Sequence, residues 1–393
     1  MELQHVKSGF AFSGNPIWVA ASPRDYFFGE EVKGRFVVFH RGSRVFEGVF
    51  SPPLRVNVAD VAEAMSDFFA EPVADGRGLY LVEDGQTLAD RRFDFWFEDV
   101  DSEGESEVVG CTVIPGRVSR QNFRKLASLG TDPFNARFLA DKGNFFLTTR
   151  SSGWMIVMKE TEMSPLYFIQ SGAATLTVTD KLTGTSIEFP GLESGVYALD
   201  VSEVRRMFVD RHGVLPSVLD VGRGAGFGCR VVVERAYPAK ERYRLKFRNS
   251  LGVFDMIEVV GPLTQVAGED DDDSRIFDRY DEVADGFRRK RDRVARGMVY
   301  EAGTGTVSPR SLDLLSDMLA SEEVYLMDAS PDPVAVIPSV EEMSRPIRPE
   351  SPVAFKIRLA AAEDTDAFTA DLSGVADSIK PRVFSRQFDR KFN

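Results

Sequence analysis

The side chains that most often carry enzyme chemistry are scarce in this chain. It has three histidines, His5, His40 and His212, and none of them lies in an HExxH motif or a triad-like setting. Histidine is the side chain best suited to proton transfer near neutral pH, and it is also a common zinc ligand. The sequence therefore predicts neither a histidine-dependent catalytic site nor a zinc site.

Two short motifs resemble ligand-binding loops. Residues 222–228 contain a GxGxG pattern, but a strand is predicted after it, whereas a phosphate-cradling loop leads into a helix N-terminus. Residues 99–104 begin like a calcium loop, but Gly110 occupies the position of the bidentate glutamate and no helices flank the segment. We predict a loop between strands for the first motif. For the second we predict an acidic hairpin tip, with a weak surface calcium site as the alternative.

The charge distribution argues against binding to duplex nucleic acid. The formal net charge is −13, and proteins that grip phosphates usually present a basic face. The acidic run 269–273 is typical of a solvated loop. The basic stretch 288–296 predicts a solvated strand or helix face, and contact with nucleic acid or an acidic partner is its alternative.

Paired carboxylates and metal clusters give no recognisable signal either. The chain has 61 aspartates and glutamates, so chance pairs are certain, and the separation of a glycosidase pair is a three-dimensional property. We therefore predict no catalytic, cofactor-binding or metal-binding residues. Cys111 and Cys229 are too few for a disulfide framework and are predicted to be buried free thiols.

Targeting signals are not recognised in the sequence. The first residues lack the positive and apolar regions of a signal peptide, and no stretch approaches the roughly 18 apolar residues that span a bilayer. We therefore expect synthesis in a cytoplasm and no membrane span.

The composition and patterning favour a mainly β fold. Hydrophobic residues make up 43% of the chain, which is enough for a packed core, and 31 phenylalanines suit half-buried pleated surfaces. Its 393 residues are enough for two or three domains.

Two long segments, 36–97 and 175–247, follow the same course of strands and a short capped helix. Val58-Ala59-Asp60-Val61 aligns with Val201-Ser202-Glu203-Val204 at an offset of 143 residues. Further along the two segments, residues 79–82 match 230–233 and residues 92–97 match 242–247. This spacing is far longer than a solenoid repeat, so it predicts two copies of a β-rich domain.

These observations divide the chain into four segments. We predict a β-sandwich-like domain over 1–116, a connector over 117–140 with Ser119 as a helix cap, a second β-sandwich-like domain over 141–262, and an α+β domain with a mobile C-terminal tail over 263–393. The last domain carries the clearest helix, 309–320, with Ser308 as its cap and Pro309 at its first position. Its predicted buried face consists of Leu312, Leu315, Met318 and Leu319.

Several segments carry a resemblance to a known family. They are residues 13–16, 144–150, 160–168, 248–252 and 312–326. Together they resemble a family of virion proteins of the tail or baseplate region, encoded by phages and prophages of Bacteroidetes. The resemblance spans roughly residues 10–360 and includes no catalytic motif. It implies a structural role and no active site.

The function expected from the sequence is a non-enzymatic structural subunit of a phage tail or baseplate. Its partners would be other virion proteins, and it would form a homo-oligomer within a symmetric assembly. The candidate contact elements are the connector 117–140, the loops 99–107 and 269–275, and the tail beyond about residue 360. The first alternative is a receptor-binding module that recognises a host-surface glycan, and the second is a carbohydrate-active enzyme.

Overall fold

The computed structural model of the chain describes most of residues 2–362. The described residues are 2–4, 9–22, 34–51, 54–64, 67–72, 76–82, 87–99, 107–120, 122, 124, 134–224, 228–236, 238–269, 275–292, 296–305, 312–329, 332–340 and 354–362. Most of the calcium-like loop and of the acidic run, Ser308, Pro309 and the C-terminal tail lie outside these residues.

The fold is mainly β, as predicted, and strands far outnumber helices in the described part of the chain. Strict alternation builds several of the strands. In residues 92–97, for example, Phe93, Phe95 and Phe97 are buried, while Asp94 and Trp96 are half-buried on the other face. Bulky apolar side chains on every second position can only be covered by a second layer of structure.

The first part of the chain forms two sheets. Its elements are β1 (Glu2–Gln4), β2 (Phe10–Phe12), β3 (Trp18–Ser22), β4 (Gly34–His40), β5 (Ser43–Phe50), β6 (Leu54–Asn57), α1 (Ala59–Ala64), β7 (Leu79–Leu81), β8 (Arg92–Asp99) and β9 (Glu107–Ile114). The large sheet has the order β2-β9-β8-β4-β5, and only the pair β2 and β9 is parallel. The small sheet has the antiparallel order β1-β3-β6.

The middle of the chain forms a second pair of sheets. After a π-helical segment (Asn135–Leu139), its elements are β10 (Ser151–Ser152), β11 (Met155–Lys159), β12 (Leu166–Gln170), β13 (Ala174–Asp180), β14 (Ser186–Leu192), β15 (Gly195–Leu199), α2 (Val201–His212), β16 (Val218–Arg223) and β17 (Cys229–Glu234). The large sheet has the order β10-β11-β17-β16-β13-β14, with β11 parallel to β17. The small sheet has the order β12-β15-β7, so a strand of the first part completes it.

The two large sheets share one connectivity. The order β2-β9-β8-β4-β5 corresponds strand by strand to β11-β17-β16-β13-β14, including the parallel pair at one end. In the small sheets, the antiparallel pair β3 and β6 corresponds to β12 and β15. We call the parts built on these sheets the first unit and the second unit.

The sequence alignment of the two units is wrong after the helix. Strand β7 pairs with β15 and has no counterpart in the second unit, while β8 and β9 correspond to β16 and β17. Residues 242–247, which the alignment matched to β8, belong to a separate barrel. The alignment slips because residues 65–91, which include β7, separate the helix from β8 in the first unit, whereas only residues 213–217 separate the helix from β16 in the second.

The last part of the chain forms a closed antiparallel barrel. Its elements are β18 (Arg242–Arg248), β19 (Phe254–Glu269), β20 (Arg275–Asp281), β21 (Gly286–Asp292), β22 (Arg296–Gly303), α3 (Leu312–Leu319), β23 (Val324–Leu326), β24 (Val334–Ser339) and β25 (Lys356–Ala361). The barrel order is β18-β19-β22-β25-β24-β23, and β20 and β21 form a hairpin between β19 and β22 in the chain. The turn at 249–252 joins β18 to β19. On α3, Leu312, Leu315 and Met318 are buried as expected, Leu319 is half-buried, and Leu314 is buried as well.

Four hydrophobic clusters hold these elements together. One lies within each unit and one lies in the barrel. The fourth is shared, because it combines Phe12 and Phe69 of the first unit, Tyr167 and Val196 of the second unit, and Leu251 of the β18–β19 turn. Burial of this shared core ties the three parts to one another.

Candidate functional site

A cluster of buried polar side chains lies where the second unit meets the barrel. We call it the polar junction, and it consists of Thr148, Arg150, Glu162, Ser164, Asp255 and Glu258. All six residues are buried. Burial of charge is costly unless each charge is paired and hydrogen-bonded, so the contacts of this cluster decide what it does.

Arg150 is the central cation of the polar junction. Its Nη1 donates to Glu162 Oε2 at 2.8 Å, and its Nε and Nη2 donate to Asp255 Oδ1 at 3.3 and 3.2 Å. Nη2 also donates to the Met256 carbonyl. One guanidinium therefore links a loop of the second unit, which carries Glu162, to strand β19 of the barrel.

Asp255 collects hydrogen bonds from three parts of the chain. Thr148 Oγ1 donates to Asp255 Oδ2 at 2.7 Å, and Ser164 Oγ donates to Oδ1 at 3.2 Å. The Met256 N–H donates to the same Oδ1 at 3.0 Å. With the contacts from Arg150, both oxygens of this buried carboxylate are satisfied, so the group holds its surroundings in place.

Glu162 and Glu258 extend the polar junction toward the surface. Glu162 Oε1 accepts from the Glu258 N–H at 3.1 Å and pairs with Lys159 Nζ at the same distance. Burial alone would raise the pKa of Glu162, but Arg150 and Lys159 outweigh burial and hold it below its usual range. Glu258 forms ion pairs with Arg242 through Oε2 at 3.4 Å and with Lys159 through Oε1 at 3.5 Å.

The β18–β19 turn is fixed by one asparagine. Asn249 Oδ1 accepts from the N–H groups of Leu251 and Val253 at 3.0 and 3.3 Å, and its Nδ2 donates to the Leu147 carbonyl at 3.0 Å. Asn249 therefore satisfies the turn from inside and ties it to the second unit.

Helix α3 contributes the half-buried carboxylate of Asp317 beside this turn. Asp317 accepts from the Ser250 N–H at 3.0 Å and from Thr149 Oγ1 at 2.8 Å. Burial raises the pKa of Asp317 even though these hydrogen bonds favour the charged form. Helix α3 is thereby hydrogen-bonded both to the second unit, through Thr149, and to the β18–β19 turn, through Ser250.

The first unit reaches the same turn through residues 115–118. The Arg117 N–H donates to the Ser250 carbonyl at 2.5 Å, and Pro115 packs closely against Gly252. Asn15 holds this segment, because its Nδ2 donates to the Val118 carbonyl and its Oδ1 accepts from the Val118 N–H, both at 2.8 Å. All three parts of the protein thus converge on one turn.

Five separate segments of the chain meet here. Residues 13–16, 144–150, 160–168, 248–252 and 312–326 each supply at least one of the contacts above. They are separated by many residues in sequence but form a single junction in space. Their polar side chains form hydrogen bonds and ion pairs with each other and with backbone groups. Such contacts stabilise the packing of one part of the chain against another.

A small cleft lies beside the polar junction. Its volume is about 320 Å³, and Arg242, Arg244, Glu258 and Asp328 are among the residues that line it. Arg244 makes a forked pair with Asp328, donating through Nε and Nη2 at 2.8 and 2.6 Å. The hydrogen bond from Arg244 lowers the pKa of Asp328, which is the opposite of what a glycosidase general acid requires.

The glycine-rich motif has a structural use in its described part. Gly222 and Arg223 end strand β16, and β17 follows, as the sequence predicted. Arg223 is buried and donates to the carbonyls of Ile169, Phe138 and Ala140 at 2.9, 3.0 and 2.6 Å. This side chain ties the end of the connector to the second unit.

The connector is described only in part. The Asn122 N–H donates to Ser119 Oγ at 3.2 Å, which is the contact expected of the predicted cap. Gly130, the predicted end of that helix, lies outside the described residues.

The other predicted features stay apart from the polar junction. His40 is buried against Phe93, and His212 lies in the last turn of α2. Most of the described part of the basic stretch lies in β21, where Arg288 and Arg289 pair with aspartates of β20, and Arg296 begins β22. Among the described residues, no group of three or more His, Cys, Asp or Glu side chains is placed to hold a metal ion.

Both cysteines are buried free thiols, as predicted. Burial raises the pKa of Cys111 and of Cys229 to about 12. Within the described residues, no helix is long and apolar enough to cross a bilayer.

The polar junction itself was not predicted from the sequence, although a signal was present. Asp255 occupies the inward phase of an alternating strand, between the buried residues Val253 and Ile257. A charged side chain on the buried face of a strand requires a buried group that pairs with it. The sequence could not identify Arg150 as that partner, because 105 residues separate the two.

No protein-family model and no curated protein matches the chain. The evidence for function is therefore the set of contacts within the chain itself.

Proposed function

We propose that the chain is a non-enzymatic structural subunit of a phage particle, placed in the tail or baseplate, that acts through protein–protein contacts. The observation that carries this proposal is the polar junction. The segments that resemble virion proteins meet there and at the adjoining β18–β19 turn, and their polar groups join the second unit to the barrel and the first unit to that turn. A subunit that must transmit load between neighbours needs such fixed joints.

We also infer that each unit is β-sandwich-like. In the first unit, Ile17 and Val19 of the small-sheet side share a core with Phe36 and Phe95 of the large sheet. In the second unit, Phe168 and Leu199 share a core with Val178, Val221 and Val231 in the same way. Two sheets that enclose one core between their inner faces are the arrangement of a sandwich. This arrangement, given twice, supports an ancestral duplication.

The localisation and the partners can be tested directly in particles. Virions purified from the producing strain would be separated into head and tail fractions, and the chain would be quantified in each by mass spectrometry against labelled peptide standards. We expect a fixed copy number in the tail fraction, in a simple ratio to another tail protein. Absence from purified particles, or a variable and substoichiometric amount, would contradict the proposal.

The glycan-binding alternative has a separate test. A glycan array probed with the isolated full chain would show a defined specificity if the chain were a receptor-binding module. The three most prominent exposed aromatic rings of the units lie beneath arginines: Trp18 beneath Arg55, Phe68 beneath Arg248 and Trp154 beneath Arg230. One face of each ring is therefore already occupied, which disfavours stacking of a sugar on that face.

A further inference from the structure

The cleft beside the polar junction lies between the second unit and the barrel. The second unit supplies the turn after β11 and Ser202 of the first turn of α2, and the barrel supplies strands β18 and β19 together with Asp328. Boundaries between packed parts of a chain are preferred places for ligand pockets. The volume of about 320 Å³ is close to the lower end of the range for such pockets, so the cleft suits a small ligand with a single ring.

The lining of the cleft is more polar than that of most ligand pockets. Seven of its eight lining residues are polar or charged, and the eighth is Met163. Ligand pockets are usually lined mainly by apolar side chains with a few polar groups among them. The cleft therefore suits a ligand whose surface consists mainly of hydrogen-bonding groups.

The charges around the cleft are balanced in pairs. Arg244 makes its forked pair with Asp328. Arg242 pairs with Glu258 at 3.4 Å. The lining carries three carboxylates and two arginines, and Lys159, which pairs with Glu258, supplies a third cation. A charged ligand would have to break one of these pairs or remain without a counter-ion, so the balance favours an uncharged ligand.

The pair of Arg244 and Asp328 presents donors and acceptors side by side. A guanidinium carries more N–H groups than the fork uses, and the side chain of Arg244 is 45% exposed, so the remaining N–H groups face solvent. Each carboxylate oxygen of Asp328 can accept more than one hydrogen bond. A hydroxyl both donates and accepts, so neighbouring hydroxyls of a sugar ring match an arginine and a carboxylate that lie next to each other.

Two buried polar atoms of the lining residues also lack a hydrogen bond within the described chain. Thr161 Oγ1 has no partner, and Glu258 Oε1 forms its ion pair with Lys159 at 3.5 Å but accepts no hydrogen bond. Buried polar groups nearly always have a hydrogen-bond partner, and each exception requires an explanation. A hydroxyl-bearing ligand in the cleft would explain both.

We propose that the cleft binds one neutral sugar unit, with its hydroxyls held by Arg244, Asp328 and Thr161. Met163 would contact a C–H face of the sugar ring. Recognition here rests on hydrogen bonds, so it needs no exposed aromatic ring. The inference goes beyond the proposed function and does not depend on it, because the site is tested in the isolated chain.

Titration of the purified full chain with neutral sugars tests the proposal. Glucose, galactose, mannose and N-acetylglucosamine would be compared by saturation-transfer NMR and calorimetry with glucosamine, a cation, and gluconate, an anion. We expect at least one neutral sugar to bind, and to bind more tightly than both charged compounds. No binding of any of the four neutral sugars, or tighter binding of a charged compound, would overturn the inference.

Asp328→Asn shows whether the sugar lies in the cleft. Asp328 has a φ of +58°, a conformation that asparagine adopts as readily as aspartate, so the variant keeps the backbone while it removes the charge. The affinity should fall at least about 10-fold, as expected for loss of a hydrogen bond to a charged group. Thr161→Val, which removes the hydroxyl and keeps the shape of the side chain, should weaken binding as well.

The matched control is Asp220→Asn. Asp220 accepts a similar fork from Arg230, at 2.6 and 3.0 Å, but it lies on β16 and does not line the cleft. This variant should bind the sugar like the wild type, and equal weakening by both asparagine variants would overturn the inference. If the sugar binds in the cleft but the chain is absent from particles, the inference stands and the proposed function fails.

Discussion

Replacement of Arg150 by methionine tests whether the polar junction holds the second unit to the barrel. Methionine keeps much of the length of the side chain and removes its charge. The change leaves Glu162 and Asp255 buried, and their own side chains are only 7% and 3% exposed. It also removes the donor to the Met256 carbonyl.

The expected loss of unfolding free energy is about 3–5 kcal/mol, the range for breaking a buried ion pair by removing one partner. Its origin is the uncompensated burial of carboxylate rather than the loss of attraction alone. The control is Arg230→Met, since Arg230 pairs with Asp220 at 2.6 Å where the two side chains are 24% and 17% exposed. That pair lies nearer to solvent, so the control should lose about 1 kcal/mol or less.

The pH dependence gives a second, independent readout. In the wild type, Arg150 and Lys159 overcome the effect of burial and lower the pKa of Glu162. Glu162 therefore stabilises the fold above its unfolded pKa, and this stability is lost as the pH falls through the lowered folded value. Without Arg150, burial should raise the pKa of Glu162, so stability should then be lost as the pH rises. The difference between variant and wild type should widen from about pH 4 to about pH 7.

Urea unfolding followed by tryptophan fluorescence at both pH values would measure these differences. Limited proteolysis of the native state would show whether the second unit and the barrel separate before either one unfolds. A loss below about 1 kcal/mol for Arg150→Met, or a loss that is the same at both pH values, would refute the reasoning.

Three further predictions concern the turn and the buried thiols. Gly252→Ala should cost at least about 2 kcal/mol, because Gly252 has a φ of +83° and a Cβ there would lie 2.5 Å from the Pro115 carbonyl oxygen. Gly184→Ala, with a φ of +74° and open space around it, should cost only about 1 kcal/mol in the same thermal unfolding assay. Asn249→Ala should cost about 2–4 kcal/mol in urea unfolding, because buried backbone groups of the turn lose their partner, and Asn249→Asp should recover part of that loss. Both native cysteines should fail to react with a thiol reagent in the native state at pH 8 and react in denaturant, and fast native labelling would contradict their burial.

Local sequence patterns predicted many of the elements. The alternation of Phe93, Phe95 and Phe97 indicated a half-buried strand, and the spacing of Leu312, Leu315 and Met318 indicated the helix face that the barrel covers. These features depend on residues a few positions apart, so they can be read without the fold.

The alignment of the two units shows a feature that local sequence patterns could not predict. The shared motif at Val58 and Val201 marked equivalent positions, since an asparagine or aspartate before it caps a helix in both units. The strands after the helix were misaligned because strand order depends on pairing between distant segments. Sequence spacing carries no direct record of that pairing.

By itself, the sequence determined that the chain is rich in strands, that its cysteines are free and buried, and that two of its segments run alike. Only the tertiary structure decided that β7 leaves its own unit to complete the sheet of the next, that six strands close into a barrel, and that Arg150 meets Glu162 and Asp255. The physical reason is the separation in sequence between the residues that determine each feature. Burial patterns and caps are local properties, whereas a buried charge finds its partner through contacts that form only when the whole chain packs.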